Sequence, residues 1–487
     1  MSRNLLLICS DQHAPAITGC YGNEIVETPN IDRLAREGTT FDAAYCNQPI
    51  CVPSRMSFMT GRHPHQTGVL ENRDILDSRM PTFAHVASGA GYRTVLAGRM
   101  HFMGPDQFHG FQEHVGSDYT AYAFHAGKIN KYRPLPGLLG NAGRPDPLRT
   151  VGSGETCTQS LDRRNTQSAL DWLEGYADSE GERPFLLTVG YFSPHCPYIV
   201  EKPYFEKYID RVEANEPSAD ELASLHPYHQ AYRERIALDT IPRENLRKAT
   251  AAYYGLVDFL DDQIGTLMDG LADLGLAEDT DIVYFSDHGE MLGEHGRWHK
   301  MCFYEASVRV PLLVRAKMVG AGERERAPVS LVDIFPTVCE LTGRDVGLYL
   351  PVLPRLDEPQ PDRPVFSEYH DGEGSHRMVR RGRHKLTVYA GSDPAEFYDL
   401  EADPDEKRNL AGRPELGQTE SQLRELIYRD GWSHDLIHRH RASLTALGFD
   451  EVVAGMKQTE PLITDGTIPE IPGYDHAVSH YENNLDA

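Results

Sequence analysis

Apolar runs of strand length alternate with helical patterns along this chain, and that alternation predicts an α/β fold around a largely parallel sheet. Leu5–Cys9 reads as the first strand, and Thr28 to Gly38 as a capped helix with a glycine stop. Thr82–Gly89 is predicted helical, with a strand at Arg93–Ala97. Thr158–Tyr176 is an amphipathic helix leading to a strand at Phe185–Tyr191. Across Leu246–Leu274, the residues Val257, Leu260, Ile264, Leu267 and Leu271 recur at helical spacing and form one apolar stripe. That helix feeds a strand at Ile282–Ser286, followed by a strand at Pro311–Arg315 and a helix at Leu331–Thr342.

The pattern changes at a linker where Pro351, Pro354, Pro359, Pro361 and Pro364 crowd together. Beyond it, Val365–Glu368, Arg377–Arg381 and His384–Tyr389 predict short antiparallel strands of a smaller subdomain. The expected division is a catalytic domain over 1–360, a small α+β subdomain over 361–450 and a tail over 451–487. The tail has little periodicity and is expected to be an arm that docks on a partner subunit, giving a homo-oligomer.

Composition narrows the classes. With 73 acidic against 48 basic residues the formal net charge is -25, which argues against a nucleic-acid partner. The apolar start, Leu5-Leu6-Leu7-Ile8-Cys9, lacks a small-residue cleavage site and is read as a strand rather than a signal peptide. No other apolar stretch has the length to span a bilayer. The 8 cysteines show neither zinc-type pairing nor a disulfide framework, so they are expected to be reduced, in the cytoplasm.

In open α/β sheets, sites form beyond the carboxyl ends of the strands. Here the strands end in Ser10-Asp11-Gln12, Gly98-Arg99-Met100-His101, Ser193-Pro194-His195 and Ser286-Asp287-His288-Gly289-Glu290. An aspartate after a strand is a common cap, and a single histidine is usually structural; four such endings on one rim favour a site. Asp11, Asp287, Gln12 and His288 make an oxygen-rich set with one imidazole, suited to Ca²⁺, Mg²⁺ or Mn²⁺. Arg55, Arg99 and Lys300 would surround a tetrahedral anion with positive charge.

One further run changes the picture: Cys51-Val52-Pro53-Ser54-Arg55, continuing to Thr60-Gly61-Arg62. A cysteine with Pro and Arg at these offsets has the form of a substrate for oxidation to Cα-formylglycine. Pro53 suits the first turn of a helix predicted over 53–60, and Gly61 suits its end. Cys51 would then lie at a helix N-terminus, which favours anions. A buried structural cysteine and an ordinary thiolate nucleophile are the competing readings.

Together these runs resemble the type I, formylglycine-dependent sulfatases of the alkaline-phosphatase superfamily. The resemblance also covers Thr28-Pro29-Asn30-Ile31-Asp32-Arg33-Leu34-Ala35, Trp298-His299-Lys300-Met301 and Phe397-Tyr398-Asp399-Leu400. Met100-His101-Phe102 with Gly104-Pro105-Asp106-Gln107 is most similar to choline sulfatases, and the metal pairs also occur in phosphonate monoester hydrolases. The resemblance implies an alkaline-phosphatase-like fold: a large mixed, mostly parallel sheet flanked by helices, plus a small C-terminal subdomain with a short antiparallel sheet. It implies a divalent metal, usually calcium, held by Asp11, Gln12, Asp287, His288 and the modified Cys51. It makes Arg55 the support of the formylglycine, and Arg99, His195 and Lys300 the sulfate-binding and leaving-group residues. His101 becomes the base of the second step, and Asn72 lines the pocket.

The implied partners are a small sulfate ester and a formylglycine-generating maturation enzyme. The family usually has Lys where this chain has Arg99, which keeps the charge and changes the geometry. Choline would need an aromatic and anionic cage, for which Tyr119, Tyr122 and Phe124 are available; aryl, alkyl and sugar sulfates are alternatives. Phosphonate monoester or phosphodiester hydrolysis is the second reading. A cysteine hydrolase and a non-catalytic binding protein complete the alternatives.

Overall fold

The computed structural model describes residues 3–116, 118, 146–179, 183–344 and 360–446. Its centre is an 8-stranded sheet in the order Glu323–Glu325, Thr39–Phe41, Leu312–Arg315, Thr280–Ser286, Asn4–Asp11, Phe185–Pro194, Arg93–Gly98 and Glu113–Val115. Leu312–Arg315 is antiparallel to both neighbours, and the other pairings are parallel. Strands of a parallel sheet are covered on both faces, which is why they read as unbroken apolar runs. Leu5, Leu7 and Cys9 enter one hydrophobic core while Leu6 and Ile8 enter the other. Side chains alternate across a strand, so one five-residue run serves two cores.

The helices that cover the sheet follow the expected pattern with small shifts at their ends. The helix expected over Thr158–Tyr176 spans Cys157–Asp178, and the long one spans Arg243–Asp273. Val257, Leu260, Ile264, Leu267 and Leu271 are all buried. Each such side chain contributes about 1.5–3 kcal/mol of transfer free energy.

Gly38 does end the Pro29–Glu37 helix, but not through a left-handed turn: its φ is -137°. A β-carbon there would lie 2.2 Å from the carbonyl oxygen of Val314, so glycine is needed for close approach to the sheet. The C-terminal sheet has 4 strands, not three, in the order Val365–His370, Ser375–Arg381, His384–Tyr389 and Ser392–Asp399. The last contains Pro394, which lacks an N–H and is tolerated because this is an edge strand. Most of the proline-rich linker and the 451–487 tail, with its expected docking role, lie outside the described residues.

The small sheet meets helix and loop residues of the preceding part of the chain through a buried polar network. Glu396 accepts from the hydroxyls of Tyr389 at 2.5 Å, Tyr304 at 3.0 Å and Tyr398 at 3.0 Å, with His229 Nε2 at 3.1 Å. Arg297 Nη1 reaches His229 Nδ1 at 2.9 Å. A guanidinium can only donate, so Nδ1 accepts and Nε2 carries the proton given to Glu396. Burial lowers His229 from 6.5 to about 4. Burial alone would raise Glu396, but His229 and Tyr389 donate to it and hold it low.

The linkage has one sign for both groups. Below pH 6.5 the unfolded chain binds a proton at His229 that the folded chain refuses until about pH 4. Stability is therefore present above pH 6.5 and is lost as pH falls. We expect the urea midpoint to fall between pH 6.5 and 4.5 and His229→Gln to flatten part of that slope. Equal slopes for the two proteins would remove His229 from this account.

Candidate active site

Four adjacent parallel strands deliver their carboxyl ends to one place. Asn4–Asp11 gives Asp11 and Gln12, Thr280–Ser286 gives Asp287 and His288, Phe185–Pro194 gives His195, and Arg93–Gly98 gives Arg99 and His101. The last two cross so tightly that a β-carbon on Gly190 would lie 1.8 Å from the carbonyl oxygen of Arg99. Glycine at 190 thus sets where Arg99 begins.

Cys51 comes from a helix that starts on it, spanning Cys51–Thr60 rather than 53–60. All ten residues are buried, and Gly61 caps the end at φ 68°. The N-cap residue Ile50 provides no side-chain acceptor for the unpaired N–H groups. Asn72 does so instead: its Oδ1 accepts from the Val52 N–H at 2.9 Å. The expected pocket residue therefore also fixes the first turn of the Cys51 helix.

Arg55, four residues on, is fully buried with Asp11 and Asp287. Its Nε donates to Asp287 Oδ2 at 2.8 Å, its Nη2 to Asp11 Oδ2 at 3.2 Å and its Nη1 to the Arg99 carbonyl at 2.9 Å. Arg99 Nε donates to the same Asp11 Oδ2 at 2.7 Å, and its guanidinium lies 4.6 Å from the Phe192 ring centre. Its Nη2 reaches His101 Nδ1 at 2.8 Å. An ammonium could not make this flat, forked set of contacts, which is what arginine adds at this position. Burial would raise Asp11, but Arg99, His195, Arg55 and Lys300 outweigh it and hold the carboxyl well below its ordinary range.

The acceptors left over converge. His288 Nδ1 is 3.0 Å from the Gly289 carbonyl, which can only accept, so Nδ1 carries the proton and Nε2 is a lone pair. That lone pair lies 3.6 Å from Oδ1 of both Asp11 and Asp287 and 3.4 Å from Cys51 Sγ. Burial lowers His288 to about 4, keeping the ring neutral. Asp11, Cys51, Asp287 and His288 each bring one ligand atom to within 4.8 Å of the others. Facing lone pairs of this kind suit a cation between them, and the two carboxylates with one imidazole suit a hard or borderline divalent ion.

Lys300 stands on the other side of Cys51, its Nζ 3.5 Å from Sγ. Burial would lower it, but Cys51 and Asp11 raise it, so it stays charged. Gln12 lies against this lysine: its Oε1 accepts from Lys300 and its Nε2 donates to Glu290. Glu290 also accepts from Tyr198 at 3.0 Å, and burial pushes it well up. His195 Nδ1 lies 2.6 Å from the Cys196 carbonyl, so Nε2 is again the lone pair, and burial followed by Lys300 lowers the ring.

Every sequence-predicted site residue is therefore in or against this cluster. Sequence reasoning did not assign Tyr198, Asp162 or Asp118. Asp162 accepts the N–H groups of Phe192 and Ser193 at 2.8 Å each, ahead of His195. It is one aspartate inside a long helix, and no local signal marks it. Tyr119, Tyr122 and Phe124, considered as a choline cage, lie outside the described residues. No helix among the described residues is long and apolar enough to cross a membrane.

Comparison with known proteins supplies the relatives. The family model described as Sulfatase matches residues 3–344, and one described as N-sulphoglucosamine sulphohydrolase, C-terminal, matches residues 293–430. A choline-sulfatase of Rhizobium meliloti is 33% identical over 431 residues, covering 84% of this chain and 83% of that one. Arylsulfatase K of Xenopus laevis is 29% identical, covering 87% and 82%. In fold, the chain is similar to the phosphonate monoester hydrolase of Agrobacterium radiobacter, with TM-score 0.69, 23% identity and coverage of 90% and 96%. A structure solved with its substrate D-glucosamine-2-N,6-O-disulfate gives TM-score 0.68 at 22% identity, covering 88% and 97%. Because the Sulfatase model spans well over half of the chain, the protein belongs to the sulfatase family of sulfuric ester hydrolases.

Proposed function

We propose that this sulfuric ester hydrolase cleaves a small sulfate monoester at Cys51 after its oxidation to Cα-formylglycine. Asp11, Asp287, His288 and the modified side chain would hold one divalent cation, with calcium first and Mn²⁺ or Mg²⁺ as alternatives. The single observation that carries this reading is the convergence of three lone-pair atoms on Sγ, with a buried lysine 3.5 Å from it. When bound, the cation would polarise a sulfate oxygen and the attacking hydroxyl. The hydrated aldehyde supplies two hydroxyls, one to attack sulfur and one whose deprotonation expels sulfate, a task a thiol cannot perform.

The chain's own groups divide the remaining work. Lys300, charged and beside Sγ, protonates the departing alcohol; His195, whose Nε2 is an open lone pair, would first take up a proton there and then donate to the sulfate or the leaving oxygen. Arg99 and Asn72 frame the anion. His101 is the base, and because Arg99 can only donate to Nδ1, that nitrogen is where the ring takes a proton once Arg99 turns to the anion. Gln12, which bridges Lys300 and Glu290, would supply a further oxygen ligand to the cation.

Cys51 is 2% exposed in a fully buried helix, so the maturation enzyme must reach it before the fold closes. No disulfide joins the cysteines among the described residues, which is consistent with the cytoplasm as the compartment. Hydrolysis of phosphonate monoesters stays the second reading, on the likeness in fold alone.

Mass spectrometry of the Cys51 peptide is expected to show the aldehyde in a host that carries the maturation enzyme; an unmodified thiol in active protein would sink the mechanism. Chelation should abolish turnover, and Ca²⁺ should restore it. Lys300→Ala should lower kcat by roughly 10²- to 10⁴-fold for an alkyl sulfate and by less for a nitrophenyl sulfate, whose leaving group needs no proton. We expect kcat/KM to be higher for aryl sulfates than for phenyl phosphonate esters; the opposite order would favour the second reading.

A further inference from the structure

Asp118 returns to the site 17 residues after His101 as a buried carboxylate, 4% exposed. Its Oδ2 accepts the backbone N–H of Met100 at 3.0 Å and that of His101 at 2.6 Å. Its Oδ1 lies 3.9 Å from Nη1 of Arg99. His101 has φ 60°, the left-handed region that a residue with a β-carbon disfavours. A turn of that kind persists only where its surroundings over-determine it. Two N–H groups drawn onto one carboxylate oxygen fix both peptide planes that flank Met100, and with them the plane from which His101 departs.

The turn decides more than a backbone angle. Arg99 is held from one side by Asp11 Oδ2 and Phe192, neither of which fixes the position of His101. Only with residue 101 turned back does Nδ1 come to 2.8 Å from Nη2 of Arg99. The guanidinium has no lone pair, so the contact forces a lone pair on Nδ1 and, in the neutral ring, a proton on Nε2. The charged and titratable groups around the ring are Arg99, Arg55, Asp11 and His195, with Asp118 behind the turn. Burial, then Arg99 and Arg55, hold the ring well below its ordinary pKa.

We propose that Asp118 is the positioning residue of the Arg99–His101 pair, holding the turn in which the guanidinium donates to Nδ1 and the ring keeps its Nε2–H tautomer. Asp118 touches no substrate, and its importance to turnover rests on the reading of Arg99 as anion-binding residue and His101 as base. A merely structural aspartate would tie down the loop without affecting the ring's tautomer.

The test compares Asp118→Ala and Asp118→Asn with the parent in the mature, metal-loaded enzyme. The amide oxygen of the Asn variant can still accept both N–H groups. Three quantities are read: kcat/KM for an aryl sulfate, the melting temperature, and the ring ¹⁵N spectrum of histidine-labelled protein, with His101 assigned by its loss in His101→Gln. The Ala variant is expected to lose about a hundredfold in kcat/KM, the scale of an ångström-sized misplacement, and to show mixed His101 tautomers. The Asn variant is expected to recover most of the activity and the single Nε2–H tautomer. An Ala variant with parental kcat/KM and parental tautomer overturns the proposal, as do Ala and Asn variants equally impaired with the tautomer intact. Should the Ala variant fail to fold, Asp118→Glu shifts the carboxylate by one methylene. Loss of tautomer in Glu but not in Asn then supports the proposal, and the reverse order overturns it. If the parent turns over no sulfate ester, the functional reading fails while the ¹⁵N comparison still decides the role of Asp118.

Discussion

Arg55 and the two carboxylates it serves, Asp11 and Asp287, have side chains with no exposure to water. Removing such ions from water costs several kcal/mol each, and the cost is offset only where geometry and hydrogen bonding are complete. Here they are: Arg55 donates from Nε, Nη1 and Nη2 to three acceptors on three different segments. Losing any one of these ionic partners would leave an unpaired buried charge, worth about 3–5 kcal/mol. The triad therefore locks the Cys51 helix over the ends of two central strands, and Ser54 Oγ adds a 2.5 Å bond to the Asp287 carbonyl. Where Cys51 stands relative to Asp11, Asp287 and His288 follows from this constraint.

A second device repeats around the rim. Loops beyond parallel strands leave backbone N–H groups that must find partners when buried. Three aspartates each take two of them: Asp118 at Met100 and His101, Asp162 at Phe192 and Ser193, and Asp74 at Leu70 and Glu71. Each pair lies beside a residue assigned to the anion: Arg99, His195 and Asn72. Asp74 also meets His440 Nε2 at 3.1 Å, and Arg441 Nη2 donates to Glu71 at 2.6 Å. The Leu436–Ala446 helix thus braces the Asn72 segment from the far end of the chain.

The central strands were legible because burial on both faces leaves unbroken apolar runs, and the long helix because its stripe keeps one period over several turns. The edge strands Glu113–Val115 and Glu323–Glu325 and the inner strand Thr39–Phe41 were not, since three residues cannot establish a period. Pro394 hid the fourth strand of the small sheet. Gly38 was read correctly as a stop, and the backbone there uses its lack of a β-carbon for close approach to the sheet. Among site residues, those grouped in polar runs at strand ends could be read, while Asp118 and Asp162 could not. A single aspartate in a loop or helix looks the same whether it caps a turn, faces solvent or holds a catalytic loop.

By itself the sequence determined the chemical inventory: which strands end in carboxylates and imidazoles, a cysteine followed by Pro and Arg, and a lysine and two arginines. Only the tertiary structure decided where the protons sit. His288 and His195 carry theirs on Nδ1 because a carbonyl faces that nitrogen, and His101 carries its proton on Nε2 because a guanidinium faces Nδ1. The side-chain oxygen of Gln12 accepts from Lys300, 288 positions away. Proton placement depends on which donor or acceptor stands within about 3 Å, and segments that meet at that distance here are far apart in the chain.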